Sequence, residues 1–180
     1  MASFASRLVG AAKLNAHTYE EVEADPHAFP QAMAAVALSA VCAGIGTGGG
    51  EGLYPLAVDT GVAMVGWLVW AWLTWFIGAK ILPTKETQAD LGQLLRTTGF
   101  AASPGILRIL ALVTPAASAI LLLSQLWMLA AFVLAVRQAL DYRSTWRALA
   151  VCVLGWIVYT TALYLITMPA PLQVSHLALP

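Results

Sequence analysis

The stretch TTGFAASPGILRILALV, residues 97–113, decides the fold. If it crosses a membrane, the chain crosses five times and its two ends lie on opposite faces. If it only dips in and returns, the chain crosses four times. An α-helix of this length reaches only about 25 Å, against a hydrocarbon core of about 30 Å. Pro104 and Gly105 interrupt it, and Arg108 sits inside it. An arginine at a helix centre costs about 2.5–3.5 kcal/mol on insertion scales.

The surrounding composition makes lipid the solvent. Of 180 residues, 60% are apolar and only 10% are charged. Mean hydropathy is +0.78. Soluble domains carry about a quarter charged residues, and a chain this short has too little interior to hide so much hydrocarbon from water. Nine Lys and Arg balance nine Asp and Glu. A nucleic-acid binder needs a surplus of cations to neutralise phosphates, so nucleic acid is excluded as a partner. Four further apolar stretches flank the decisive one: residues 30–46, 60–82, 116–136 and 148–168. The Ala-rich first stretch is also short and needs neighbours or a locally thinned bilayer.

Charge placement favours five crossings. Arg7 and Lys13 precede the first stretch; Lys80, Lys85 and Arg96 follow the second; Arg137, Arg143 and Arg147 follow the fourth. The remaining connections and the tail carry no cation; Lys80 stands at the very end of the second stretch, and Arg108 falls well inside the third. The positive-inside rule then gives a cytoplasmic N-terminus and an outer C-terminus. The expected fold is an all-α, polytopic bundle of five transmembrane helices, the third short and kinked by Pro and Gly. Residues 1–29 form a cytoplasmic segment, 30–168 the membrane domain and 169–180 an outer tail.

In the N-terminal segment, Phe4, Leu8, Ala11 and Ala12 recur at helical spacing beside Arg7 and Lys13. That pattern suits a helix lying on the inner leaflet, or a frayed tail. The run 8–12 is too short for the apolar core of a signal peptide. Thr18 and Glu21 have capping-box spacing for a second short helix, which Pro26 ends.

Chemistry-bearing motifs are weak. The glycine run 44–52 resembles a phosphate cradle, but no strand precedes it and no Lys-Ser or Lys-Thr follows; a flexible hairpin explains it better. Cys42 and Cys152 fall at opposite ends of their stretches, too far apart for a disulfide. His17, His27 and His176 lie outside every stretch, so a membrane-embedded haem or pigment ligated by this chain is not expected. No metal-ligand cluster and no nucleophile, base and acid set has workable spacing. No catalytic residue, metal or cofactor is assigned.

Three patterns are candidate sites. Asp59 and Arg108 fall at similar depth in the outer half and are expected to meet as an ion pair or through water; the competing reading is Arg108 snorkelling alone to the headgroups. Ala35, Ser39 and Ala43, Ala40 and Gly44, and Ala131, Ala135 and Ala139 recur every four residues, a spacing that lets helices approach closely in lipid. Trp67, Trp70, Trp75, Trp127 and Trp156 are possible contacts for a lipid tail, quinone or pigment, against ordinary packing as the default. Tyr142 and Trp146 suit an inner interfacial belt, and Tyr54 and Tyr164 an outer one.

Three segments resemble a known family. Thr18-Tyr19-Glu20-Glu21-Val22-Glu23-Ala24-Asp25-Pro26 is similar to the cytoplasmic entry segment of bacterial Yip1-domain proteins. Thr98-Gly99-Phe100-Ala101-Ala102-Ser103-Pro104-Gly105 resembles their third-span glycine, aromatic and proline pattern. Trp127, with Val136-Arg137-Gln138-Ala139-Leu140-Asp141 and Arg147-Ala148, resembles their fourth-span exit and inner loop. The resemblance implies a five-span fold with a cytoplasmic N-terminus and brings no catalytic residues. The Rab-linked Golgi role of eukaryotic relatives is not carried over, because their longer acidic N-terminal region is not in this sequence.

The expected function is that of a non-enzymatic multi-pass protein of the bacterial inner membrane. It would organise the membrane or act as an adaptor through helix contacts, alone or as a homo-oligomer. The alternative is an accessory subunit of a larger membrane complex, energy-transducing or photosynthetic, touching partner helices and bound lipid or pigment. A small-solute transporter ranks third, since no inverted repeat or polar cavity-lining set accompanies the broken third stretch.

Overall fold

The computed structural model describes residues 2–48, 52–84, 87 and 89–167. Among these, all regular structure is helical. Two short helices come first, α1 (Phe4–Ala12) and α2 (Ala16–Ala24). A 3-10 turn at Pro26–Ala28 leads into α3 (Phe29–Gly46). Next come α4 (Leu53–Trp75), with a π-helical extension over Phe76–Ile81, and α5 (Leu91–Phe100). A 3-10 segment follows at Ser103–Val113, and then α6 (Ala117–Ala139) and α7 (Thr145–Thr167).

Four helical stretches are long and apolar enough to cross a bilayer: Pro26–Gly46, Leu53–Ile81, Ala117–Ala139 and Thr145–Leu165. The decisive stretch differs from its sequence-based description. It begins earlier, at a capping box in which Asp90 Oδ1 accepts from the Gln93 amide at 2.8 Å and Gln93 Oε1 accepts from the Asp90 amide at 2.7 Å. After Phe100 it continues as a 3-10 helix, whose rise is about 2.0 Å per residue. Its ten α and eleven 3-10 residues together reach roughly 35–40 Å, not 25 Å.

This geometry matches α3. Glycines mark the seam: Gly99 lies against Ala32, Gly105 against Ser39, and Gly46 against the Arg108 backbone. Residue numbers rise together on both sides, so the two segments run parallel. Between these contacts α3 advances about 21 Å at the α rise. The nine residues from 99 to 108 advance about 18 Å at the 3-10 rise, so the faster rise lets the shorter piece keep pace. The 3-10 segment ends at Val113 and α6 starts at Ala117, yet Gly105 already meets Met128, so the chain doubles back and α6 runs the other way. Gly44 near the end of α3 meets Leu56 near the start of α4, and Gly66 and Thr74 of α4 meet Tyr159 and Gly155 of α7 in descending order, giving antiparallel α3–α4 and α4–α7 pairs. Five segments thus alternate in direction.

The helix ends have identifiable stops. The Ser3 hydroxyl accepts from the Ser6 amide at 3.2 Å and starts α1. Asn15 caps α2 through the His17 amide at 3.0 Å. The expected capping box at Thr18 and Glu21 does not form: α2 has already begun, and Thr18 is buried against Gly10. Glu21 is used elsewhere. The π extension of α4 leaves carbonyls facing the α6–α7 connection. Tyr142 is buried there, its hydroxyl 2.9 Å from both the Gly78 and Leu82 carbonyl oxygens. It is a bundle strut rather than a residue of an interfacial belt.

The core is asymmetric. Tyr19, Val22, Leu94, Phe100, Val136 and Leu140 are fully buried, all towards the end that carries α1 and α2. At the opposite end Val62, Leu112, Val113, Leu122 and Leu123 are exposed apolar side chains. The N-terminal helices cause this. Phe4 packs 6.3 Å from the Phe100 ring, and Trp127 Nε1 donates to the Ala12 carbonyl at 2.7 Å. Trp127 lies near the middle of α6, so α1 climbs about half-way along the bundle and is neither frayed nor laid flat beneath it.

Candidate functional site

Arginine 7 shows how the N-terminal helices are held. Its side chain is only 3% exposed. Nη2 donates to Asp25 Oδ2 at 2.7 Å and Glu21 Oε1 at 2.9 Å, and Nη1 donates to Gln31 Oε1 at 2.9 Å. The Arg7 hydrogen bond holds the Asp25 carboxyl below its usual range. Burial opposes the charge on Arg7, but Asp25 and Glu21 outweigh it and raise the guanidinium pKa. Arg96 donates to the Glu23 and Val22 carbonyls at the end of α2, tying α2 to α5. These cations serve as structural clamps.

A polar cleft of about 440 Å³ lies beside them, lined by Glu20, Glu23, Arg137, Gln138, Asp141 and Arg143 among others. Burial, with Asp141, Glu20 and Asp90 nearby and Arg96 opposing, pushes the Glu23 carboxyl up to about 7. Gln138 donates to Glu20 Oε1 at 3.0 Å across the cleft.

The second cavity, about 430 Å³, sits where all five long segments converge. Trp67, Trp70, Trp156 and Tyr159 line it, with Arg108 and Gln125 as polar members. Trp67 Nε1 donates to Thr98 Oγ1 at 3.2 Å. Trp70 stacks on Phe132, ring centroids 3.7 Å apart, and its buried Nε1 has no acceptor. Arg108 Nη2 contacts Gln125 Oε1 and, at 3.1 Å, Met128 Sδ.

The structure brings some predicted residues together and separates others. No ion pair joins Arg108 to Asp59, which is exposed on α4. Nor does Arg108 reach outward. Its Cα is level with Gly46, the last residue of α3, while its guanidinium lies at Met128, level with Gly105. A helical Cα–Cβ bond tilts towards the helix N-terminus, and here that direction leads into the bundle. Trp67, Trp70 and Trp156 share the cavity, whereas Trp75 donates to the Ala89 carbonyl at 3.1 Å and Trp127 serves α1. Ala35, Ser39, Ala131, Ala135 and Ala139 are buried; Ala40, Ala43 and Gly44 are half-buried. Cys42 and Cys152 are buried free thiols. His17 and His27 are exposed, and His176 and part of the glycine run lie outside the described residues. Among the described residues no group of three His, Cys, Asp or Glu is placed to hold a metal ion.

The sequence reading missed the Arg7 clamp and the capping box at Asp90. The box was legible as Asp-x-x-Gln. The clamp had a fainter signal: acids at Glu21 and Asp25, one turn apart, with a basic residue on the preceding helix.

Long apolar helices packed around a cavity, with few charges along their length, define a multi-pass helical membrane protein. The Yip1 domain family matches residues 15–166, and the chain belongs to that family. No curated protein and no solved structure matches it.

Proposed function

We propose that the protein is a non-catalytic membrane organiser of the bacterial inner membrane, crossing it five times with a cytoplasmic N-terminus and an outer C-terminus. The observation that carries this reading is the division of the bundle into two halves. The half holding α1 and α2 contains most of the large fully buried side chains, is clamped by Arg7, Arg96 and Tyr142 and is bordered by the polar cleft, with Ile81 and Trp146 exposed at its edge. The other half presents uncovered apolar faces on α4, α6, α7 and the 3-10 segment. Such a molecule acts on its surroundings by shape and helix contact, with lipid, with its own copies or with other membrane helices. Five crossings are supported by the parallel course of α3 and the third segment and by cations gathered at alternate connections.

Two measurements test this. Extraction in lipid nanodiscs followed by native mass spectrometry is expected to find the chain alone or in multiples of itself. A fixed set of foreign subunits would overturn the proposal in favour of an accessory-subunit role. Labelling of the termini in sealed vesicles is expected to place them on opposite faces; a common face would overturn five crossings.

A further inference from the structure

We propose that the cavity around Arg108 binds a single-chain amphiphile with a carboxylate head, of the fatty-acid class. A cation inside a bundle is ordinarily paired, and among the described residues Arg108 meets no carboxylate: its partners are an amide oxygen and a thioether, both taken by Nη2. A guanidinium offers five donors in a planar fork that fits a carboxylate with two parallel hydrogen bonds. Among the described residues the guanidinium therefore keeps donors in excess and meets no acid, so the occupant must supply acceptors and negative charge.

The rest of the site selects the occupant's body. The walls are tryptophan, phenylalanine and small aliphatic side chains, suited to hydrocarbon. The volume of about 430 Å³ falls at the lower end of ligand pockets and suits one chain rather than two. The head must also be compact. Met128 is level with Ser39, so the guanidinium sits about 10 Å below the end of α3, counting seven residues of α-helix. At that depth Gly105 of the 3-10 segment packs against both Ser39 and Met128, a close contact that leaves more room for a carboxylate than for a glycerophosphate head with two chains.

The test uses the full chain in phosphatidylcholine nanodiscs and quenching of tryptophan fluorescence by 9,10-dibromostearate, with bromines that quench an indole on contact. Saturable quenching is expected, with apparent affinity at least tenfold weaker for Arg108→Gln and intermediate for Arg108→Lys, which keeps the charge but loses the fork. The methyl ester, with the same chain and no charge, should quench weakly and equally in wild type and Arg108→Gln. Ala40→Leu narrows the cavity without touching Arg108 and should also lose the saturable phase, which keeps the proposal testable if Arg108→Gln does not fold. Equal affinity in wild type and Arg108→Gln would overturn the proposal. So would equal binding of the ester, or displacement by acetate or phosphatidylglycerol as effective as that by oleate.

Discussion

Replacing Gly46 by alanine tests the parallel seam between α3 and the 3-10 segment. Alanine in a helix is ordinarily favoured over glycine by about 0.8–1.0 kcal/mol. At Gly46 an added Cβ meets the Arg108 carbonyl oxygen head-on and its carbonyl carbon at 2.7 Å. Both are backbone atoms and cannot rotate away, so the two segments must part or the last turn of α3 must unwind. Overpacking against side chains costs about 1–3 kcal/mol; against backbone the upper end applies, and the propensity gain offsets only part of it. A net loss of about 2 kcal/mol lowers Tm by about 4–8 °C in a chain of this size. Gly61 is the control. It lies in α4 with nothing within 4 Å of an added Cβ, so Gly61→Ala should raise Tm or leave it unchanged. Thermal unfolding in detergent, followed by circular dichroism, measures both. Equal Tm values for the two variants would refute the close approach at Gly46 and, with it, the register that carries the third segment alongside α3.

Two further outcomes follow from the clamps at the other end. Arg7→Met leaves Glu21 and Asp25 facing one another without a cation, so α1 should undock. Hydrogen exchange should show amide protection in 4–12 falling by on the order of tenfold or more, while 131–139 keep theirs; unchanged protection would show that apolar packing alone holds α1. The Glu23 carboxyl, raised from 4.5 to about 7, binds its proton more tightly in the folded state. Stability should therefore be greatest in acid and fall as pH rises from about 4.5 to about 7, then level off. The slope should vanish in Glu23→Gln, and a carbon-13 NMR titration of this carboxyl with a midpoint near 4.5 would contradict the assignment.

Much of the bundle was legible because its signals are local. Apolar stretches located α3, α6 and α7 to within a few residues, and the four-residue spacing of Ala131, Ala135 and Ala139 coincides with a fully buried face. The third segment was misjudged because length was reckoned at the α rise. Pro104 and Gly105 read as a kink, whereas the chain changes helix type and gains reach. The start of α4 at Leu53 was missed because Tyr54, Pro55 and Asp59 dilute its first two turns. The site was the least legible part. Trp67, Trp70 and Trp156 come from two helices, and their angular spread on α4 hid a meeting that only the packing of α7 against α4 creates. The expected pairing of Arg108 with Asp59 rested on similar depth; depth does not fix azimuth or the direction in which a side chain leaves its helix.

Arg7 and Arg108 put the same chemistry to opposite use. Arg7 is buried more completely, yet it is matched: two carboxylates and an amide oxygen surround it, and the chain itself supplies every partner. Its role is complete without anything else. Arg108 is half-buried, points into the apolar bundle and meets one amide oxygen and one sulfur. If Arg108 served only to anchor the segment at a headgroup, an outward rotamer would cost less, because the 3-10 segment continues five residues beyond it towards the bundle end. The inward course is instead the one that places a forked donor in the wall of a tryptophan-lined cavity. One arginine closes the folded chain on itself; the other meets no carboxylate among the described residues, in a cavity where all five long segments converge.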